Sequence, residues 1–105
     1  MMRAALILTL AAGLALAATG DAATTPSVQI KQFAFAPATL TVPVGTTVTW
    51  TNADDETHTV TAVDKAYTST GLEHDKTYSH RFTTPGTYTY FCMLHPHMTA
   101  TVVVR

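Results

Sequence analysis

From residue 28 onward the chain alternates apolar and polar positions in short runs broken by Pro and Gly. Val28-Gln29-Ile30-Lys31-Gln32-Phe33 has the period-two pattern of a half-buried strand, and Phe35 and Ala36 follow before Pro37 breaks the run. Thr39 to Val42 forms a second strand closed by Pro43 and Gly45, and Thr46 to Thr51 alternates again with Val48 and Trp50 on one face. His58 to Val63 is next, with His58 at its start. Residues 64–76 read as the longest connection, holding at most a short edge strand at Tyr67 to Thr70. Thr77 to Phe82 is a strand, Thr84-Pro85-Gly86 a turn, and Thr87 to Cys92 and Thr99 to Val104 the last two strands. Roughly seven strands with turn residues about every eight to twelve positions predict an all-β, antiparallel sandwich or barrel.

The N-terminal segment has a different pattern. Met1-Met2-Arg3 is a short basic start, and Ala4 to Ala18 is an apolar run interrupted only by Thr9 and Gly13. Small residues offer cleavage points between Ala17 and Ala23, the layout of a secretory signal peptide. A membrane helix needs about 20 apolar residues, which this run does not reach. The expected organisation is therefore a cleaved signal over residues 1–22 and one domain over residues 23–105, secreted to the periplasm.

Composition narrows the functional classes. The formal net charge of the chain is −1, and loss of residues 1–22 removes one basic and one acidic group, leaving it unchanged. No Lys/Arg run suggests nucleic acid or, after signal cleavage, a membrane as partner. A secreted domain of about 80 residues is near the size at which a core is marginal without a staple. Its single cysteine, Cys92, cannot form an internal disulfide. The thiol is therefore buried, paired with another chain, or bound to something, and a metal would supply the missing staple.

Tyr90-Phe91-Cys92-Met93-Leu94-His95-Pro96-His97-Met98 carries the chemistry. A thiolate, an imidazole and a thioether sit at Cys92, His95 and Met98 with two residues in each gap, and a second imidazole, His58, lies upstream. Soft thiolate, two imidazoles and a weak thioether are the donors of an electron-transfer copper site. Cys92 closes the penultimate strand and Met98 opens the last, which places His95 on the loop between them. His58 begins a strand at the same end of the sandwich.

At these residues the chain resembles the cupredoxins, the small blue copper proteins, and among them the amicyanin-like and plastocyanin-like branch. Val44-Gly45-Thr46-Thr47-Val48-Thr49-Trp50-Thr51-Asn52, then His58-Thr59-Val60, then Gly86-Thr87-Tyr88-Thr89-Tyr90-Phe91-Cys92 run in the order of that family. Cys-x2-His-x2-Met is similar to amicyanin; plastocyanins and pseudoazurins have a longer gap before Met, and azurins lengthen both gaps. The resemblance implies a Greek-key sandwich of about eight strands and one copper ion per chain. It also implies His58, Cys92 and His95 as strong ligands, Met98 as the long axial ligand, and one-electron transfer without catalysis. In the family the residue after the first histidine is often Asn. Here it is Thr59, whose backbone N–H remains available to the thiolate. Partners implied by the same resemblance are redox proteins, a quinoprotein amine dehydrogenase as donor and a c-type cytochrome as acceptor, met by a monomer.

Other readings compete. A copper storage, delivery or tolerance module would use overlapping donors but an easily opened site. An enzyme would need a Cys92–His95 nucleophile pair with an orienting third group and oxyanion donors, or a metal with an open position. Neither requirement is evident in the chain. His74, His80 and His97 read as solvated, with His97 placed to assist copper loading. Asp54-Asp55-Glu56 is a polar loop near the metal end, able to steer a basic partner. His95 is the expected electron port, with Phe35, Pro37 and Pro96 forming an apolar patch around it.

Overall fold

In a computed structural model that describes residues 26–105, the alternating segments form eight strands: β1 (Ser27–Ile30), β2 (Phe35–Ala36), β3 (Thr39–Val42), β4 (Thr47–Asn52), β5 (Thr61–Ala62), β6 (Thr77–Arg81), β7 (Gly86–Cys92) and β8 (His95–Val104). Among these residues there is no helix. The expected signal over residues 1–22 lies outside the described residues.

The strands build two four-stranded sheets, ordered β2-β1-β4-β6 and β3-β8-β7-β5. Most neighbours are antiparallel, as expected, but two pairs are parallel: Val28 lies opposite Trp50 in β1/β4, and Leu40 opposite Val102 in β3/β8. The chain crosses between sheets after β2 and again after β3, so β4 returns beside β1 running the same way. A hairpin cannot make that connection, and a Greek-key sandwich does.

Alternation along β1, β4 and β8 directs Val28, Ile30, Val48, Trp50, Val102 and Val104 into the space between the sheets, each 0–2% exposed. Trp50 is the central body, with the Tyr90 ring edge-on at 5.4 Å and Tyr78 and Tyr67 tilted at 5.8 and 6.3 Å. Each fully buried large apolar side chain contributes about 1.5–3 kcal/mol.

Four local expectations change. The first strand ends at Ile30, not Phe33, because Gln32 (φ 55) and Phe33 (φ 57) adopt left-handed backbone. Lys31 and Ala34 exchange N–H···O bonds of 2.9 and 3.1 Å across them, closing a two-residue hairpin turn into β2. Gly and Asn are the usual residues in such turns, and other residues pay about 1–3 kcal/mol each for the conformation. The segment from His58 to Val63 is not one strand: His58 forms a single bridge to Leu72, and only Thr61–Ala62 pairs with β7. His95 is not on a loop but opens β8, since Cys92 pairs directly with it across a two-residue Met93–Leu94 turn; Met98 consequently lies inside β8. Phe35 is core, 4% exposed and 4.7 Å from the Tyr90 ring, so it cannot belong to a surface patch.

Candidate metal centre

Three separate constraints converge on Cys92. β7 ends there with the thiol wholly buried, and the tight turn returns His95 beside it at the start of β8. His58 arrives from the other sheet's side on an irregular segment fixed by backbone bonds to Leu72, 3.1 Å from the His58 N–H and 2.7 Å to the His58 carbonyl. Asn52, fully buried at the end of β4, holds that segment. Its Nδ2 donates to the Glu56 and Leu72 carbonyls at 2.8 and 2.7 Å, while its Oδ1 accepts from the Asp54 N–H at 2.9 Å. A buried amide with these bonds made is inexpensive; the same amide without them would not be.

The donor atoms face one another. His58 Nδ1 is 3.7 Å and His95 Nδ1 3.5 Å from Cys92 Sγ. One ligand atom from each of the three residues lies within 4.8 Å of the others. With metal–nitrogen bonds of about 2.0 Å and a metal–sulfur bond of about 2.3 Å, trigonal N and S donors stand about 3.7 Å apart, so the spacing fits a single ion. His58 is 0% exposed, whereas His95 keeps an edge toward solvent. Met98 is 3% exposed and belongs to the same buried cluster as Cys92.

The surrounding hydrogen bonds orient the two ring nitrogens of His58 differently. Asp54 Oδ2 sits 2.9 Å from His58 Nε2. Burial raises the Asp54 carboxyl, but the Phe33 and Gln32 N–H groups and then His58 outweigh it and hold the group below its ordinary range. A carboxylate only accepts, so the imidazole proton resides on Nε2 and the Nδ1 lone pair is free toward Cys92. The Thr59 N–H donates to Cys92 Sγ at 3.3 Å, as expected. Thr59 does more than its backbone suggests: its Oγ1 accepts the Met93 N–H at 2.8 Å and so ties the ligand turn to the His58 segment.

Two participants escaped the sequence reading. Asp54 looked like loop polarity, yet its position four residues before His58 was a usable signal. Phe33 looked like strand, yet its ring stands edge-to-face on both His58 and His95, 5.0 Å from each. Of the spare histidines, His74 is exposed among Asp55 and Asp75, at 3.8 and 3.2 Å, and His97 is exposed. His80 is not solvated: it is part-buried and stacked on Tyr67 at 4.3 Å.

Comparison with known proteins agrees with this geometry. A family model described as a cupredoxin-like domain matches residues 4–104. Amicyanin-alpha of Methylorubrum extorquens is 36% identical over 101 residues, 91% of this chain and 85% of that protein. Among solved structures, a purple cupredoxin from Nitrosopumilus maritimus superposes with a TM-score of 0.73 at 30% identity, over 76% of this chain and 99% of that one. A mutant amicyanin in its Cu(I) form also gives 0.73, at 34% identity over 77% of this chain and 82% of that chain.

Proposed function

The chain belongs to the cupredoxin-like family, and from that membership we propose that it is a blue copper protein carrying single electrons between redox proteins. Its copper is held by His58, Cys92 and His95, with Met98 as the weak fourth donor. The observation that carries this reading is the convergence of two imidazole Nδ1 atoms on one buried thiol at 3.7 and 3.5 Å.

Bound copper supplies the one-electron couple; the protein's residues make that couple usable. Asp54 bonds the His58 ring at Nε2, and the Thr59 N–H donates to the sulfur. Because β7, the Met93–Leu94 turn and the Asn52-anchored segment are each hydrogen-bonded in place, the donors need not rearrange on oxidation or reduction. The donor set offers no vacancy for a substrate, which argues for carriage rather than catalysis. Electrons enter and leave at the exposed edge of His95. Phe33, Met93 and Leu94, 44%, 56% and 55% exposed, frame that edge with apolar surface suited to a partner protein. In place of the buried Phe35, Phe33 supplies the aromatic member of that patch.

Residues 1–22 act in this reading as an export signal, giving a periplasmic carrier, with a quinoprotein amine dehydrogenase as donor and a c-type cytochrome as acceptor. Among the described residues no helix is long and apolar enough to cross a membrane. Buried donors speak against rapid copper delivery; quick loss of copper to a modest chelator would favour the storage or delivery reading instead.

Copper-loaded protein is expected to show an intense thiolate-to-metal band toward the red. Cys92→Ser removes it, while Met98→Leu keeps colour and shifts the reduction potential. Persistence of the band in Cys92→Ser would refute the ligand assignment.

A further inference from the structure

The Asp54 carboxylate makes three bonds, and together they join features that the sequence keeps apart. Its Oδ1 accepts the Gln32 N–H at 2.7 Å; its Oδ2 accepts the Phe33 N–H at 2.9 Å and lies 2.9 Å from His58 Nε2. Gln32 and Phe33 are consecutive residues whose left-handed backbone is unfavourable for their side chains. In that conformation both N–H groups point at the carboxylate. Phe33 then carries its ring onto the edges of His58 and His95 together, 5.0 Å from each and close to perpendicular at 90° and 84°. The ring is 44% exposed, so core packing does not hold it there. A turn built from unsuited residues and braced by a carboxylate from a distant segment is a conformation the surroundings impose.

We infer that Asp54 is a positioning residue with two linked effects: it orients His58, and it pins the Gln32–Phe33 turn so that Phe33 closes the solvent approach to both imidazoles and slows metal exchange. The inference rests on the copper reading above. The linkage is physical. Without the carboxylate the two turn N–H groups lose their acceptor, the turn relaxes toward ordinary backbone, and Phe33 leaves the rings. His58 loses its Nε2 partner in the same event and can rotate. Phe33 alone affects only access. A carboxylate one imidazole away from the metal also favours the more positive oxidation state, an effect Phe33 cannot reproduce.

The test compares Asp54→Ala, Phe33→Ala and the double variant of the mature protein. In the metal-free form, Asp54→Ala is expected to speed hydrogen exchange at the Gln32 and Phe33 amides at least tenfold. In the copper-loaded form, each single variant is expected to transfer copper to a chelator at least tenfold faster. The double variant should be little faster than the faster single one, because both changes remove the same barrier. Asp54→Ala should also raise the reduction potential, by about 59 mV for a tenfold change in the Cu(II)-to-Cu(I) affinity ratio, with a clearly smaller shift in Phe33→Ala. Phe33→Ala alters an exposed side chain and should fold normally, so its transfer rate remains readable even if Asp54→Ala is destabilised. Unchanged transfer in Phe33→Ala, or a double variant whose acceleration is the product of the two singles, overturns the inference. Protein that takes up no copper at all would sink the functional reading instead, while amide exchange at Gln32 and Phe33 would still judge the clamp.

Discussion

The metal end of the sandwich and its aromatic interior satisfy their polar atoms in opposite ways. At the metal end Asn52, Asp54, His58 and Thr59 are all hydrogen-bonded, several of them across segments distant in sequence. In the interior, Trp50 Nε1, Tyr67 Oη and Tyr90 Oη are buried without a hydrogen-bond partner among the described residues. Burial accordingly pushes the Tyr90 phenol up to about 12 and pushes Tyr67 up further. Apolar packing is non-directional and tolerates an unmade bond; a ligand set that must keep one geometry does not. The polar bonds of this small domain are spent where orientation matters.

Removing one bonded group should therefore cost more than removing an unbonded one. Asn52→Ala strands an N–H at Asp54 and a carbonyl at Glu56, leaves the Leu72 carbonyl with only the His58 N–H, and is expected to cost about 3 kcal/mol in urea unfolding. It should also weaken the copper band, since His58 loses its anchor. A stable variant with an unaltered spectrum would remove the contrast.

The interior also predicts a pH effect. Desolvation lowers the His80 pKa, so the neutral ring is favoured in the folded state. Its contribution is fully present above the unfolded value of 6.5 and is lost as pH falls from there through the lowered folded value. Urea midpoints of the metal-free protein should drop between pH 7.5 and the acid side of this window, and His80→Gln should flatten that drop. An identical pH slope in the variant would show that the ring is not desolvated. Smallest of all is Tyr67→Phe, expected to be neutral or to stabilise by about 1 kcal/mol because the deleted hydroxyl has no partner. A loss of more than about 1 kcal/mol would mean that this hydroxyl is bonded after all and that the two regions differ less than they appear here.

Much of the centre could be read from residue spacing. Cys92, His95 and Met98 lie within one short stretch, and a tight connection between strands has few ways to arrange them. Strand alternation likewise puts Val48 and Trp50 on one face and Val28 in a half-buried strand, and all three are core. His58 is expected as a ligand from its chemistry and the structure brings its Nδ1 toward Cys92, although the strand expected around it shrinks to two isolated bridges and a two-residue pairing, because Leu72, Ser69 and Cys92 Sγ satisfy that backbone instead. Phe33 and Phe35 were assigned the wrong way round for a definite reason. The period-two pattern breaks at Gln32-Phe33, where Phe33 falls out of phase with Val28 and Ile30, and that break is the local sign of the left-handed turn that carries Phe33 to the surface and returns Phe35 to the core.

The sequence by itself determined the strand-rich fold and a soft-donor set around one cysteine, because periodicity and short spacing are local properties of the chain. Only the tertiary structure decided which histidine nitrogen faces the thiol, which side chain stands against the imidazoles, and that one carboxylate, Asp54, bonds both the His58 ring and the turn bearing Phe33. Those outcomes depend on a carboxylate reaching backbone N–H groups more than twenty residues away, a contact that exists only once β1 and β4 have paired, and on the second sheet then bringing Cys92 and His95 against His58.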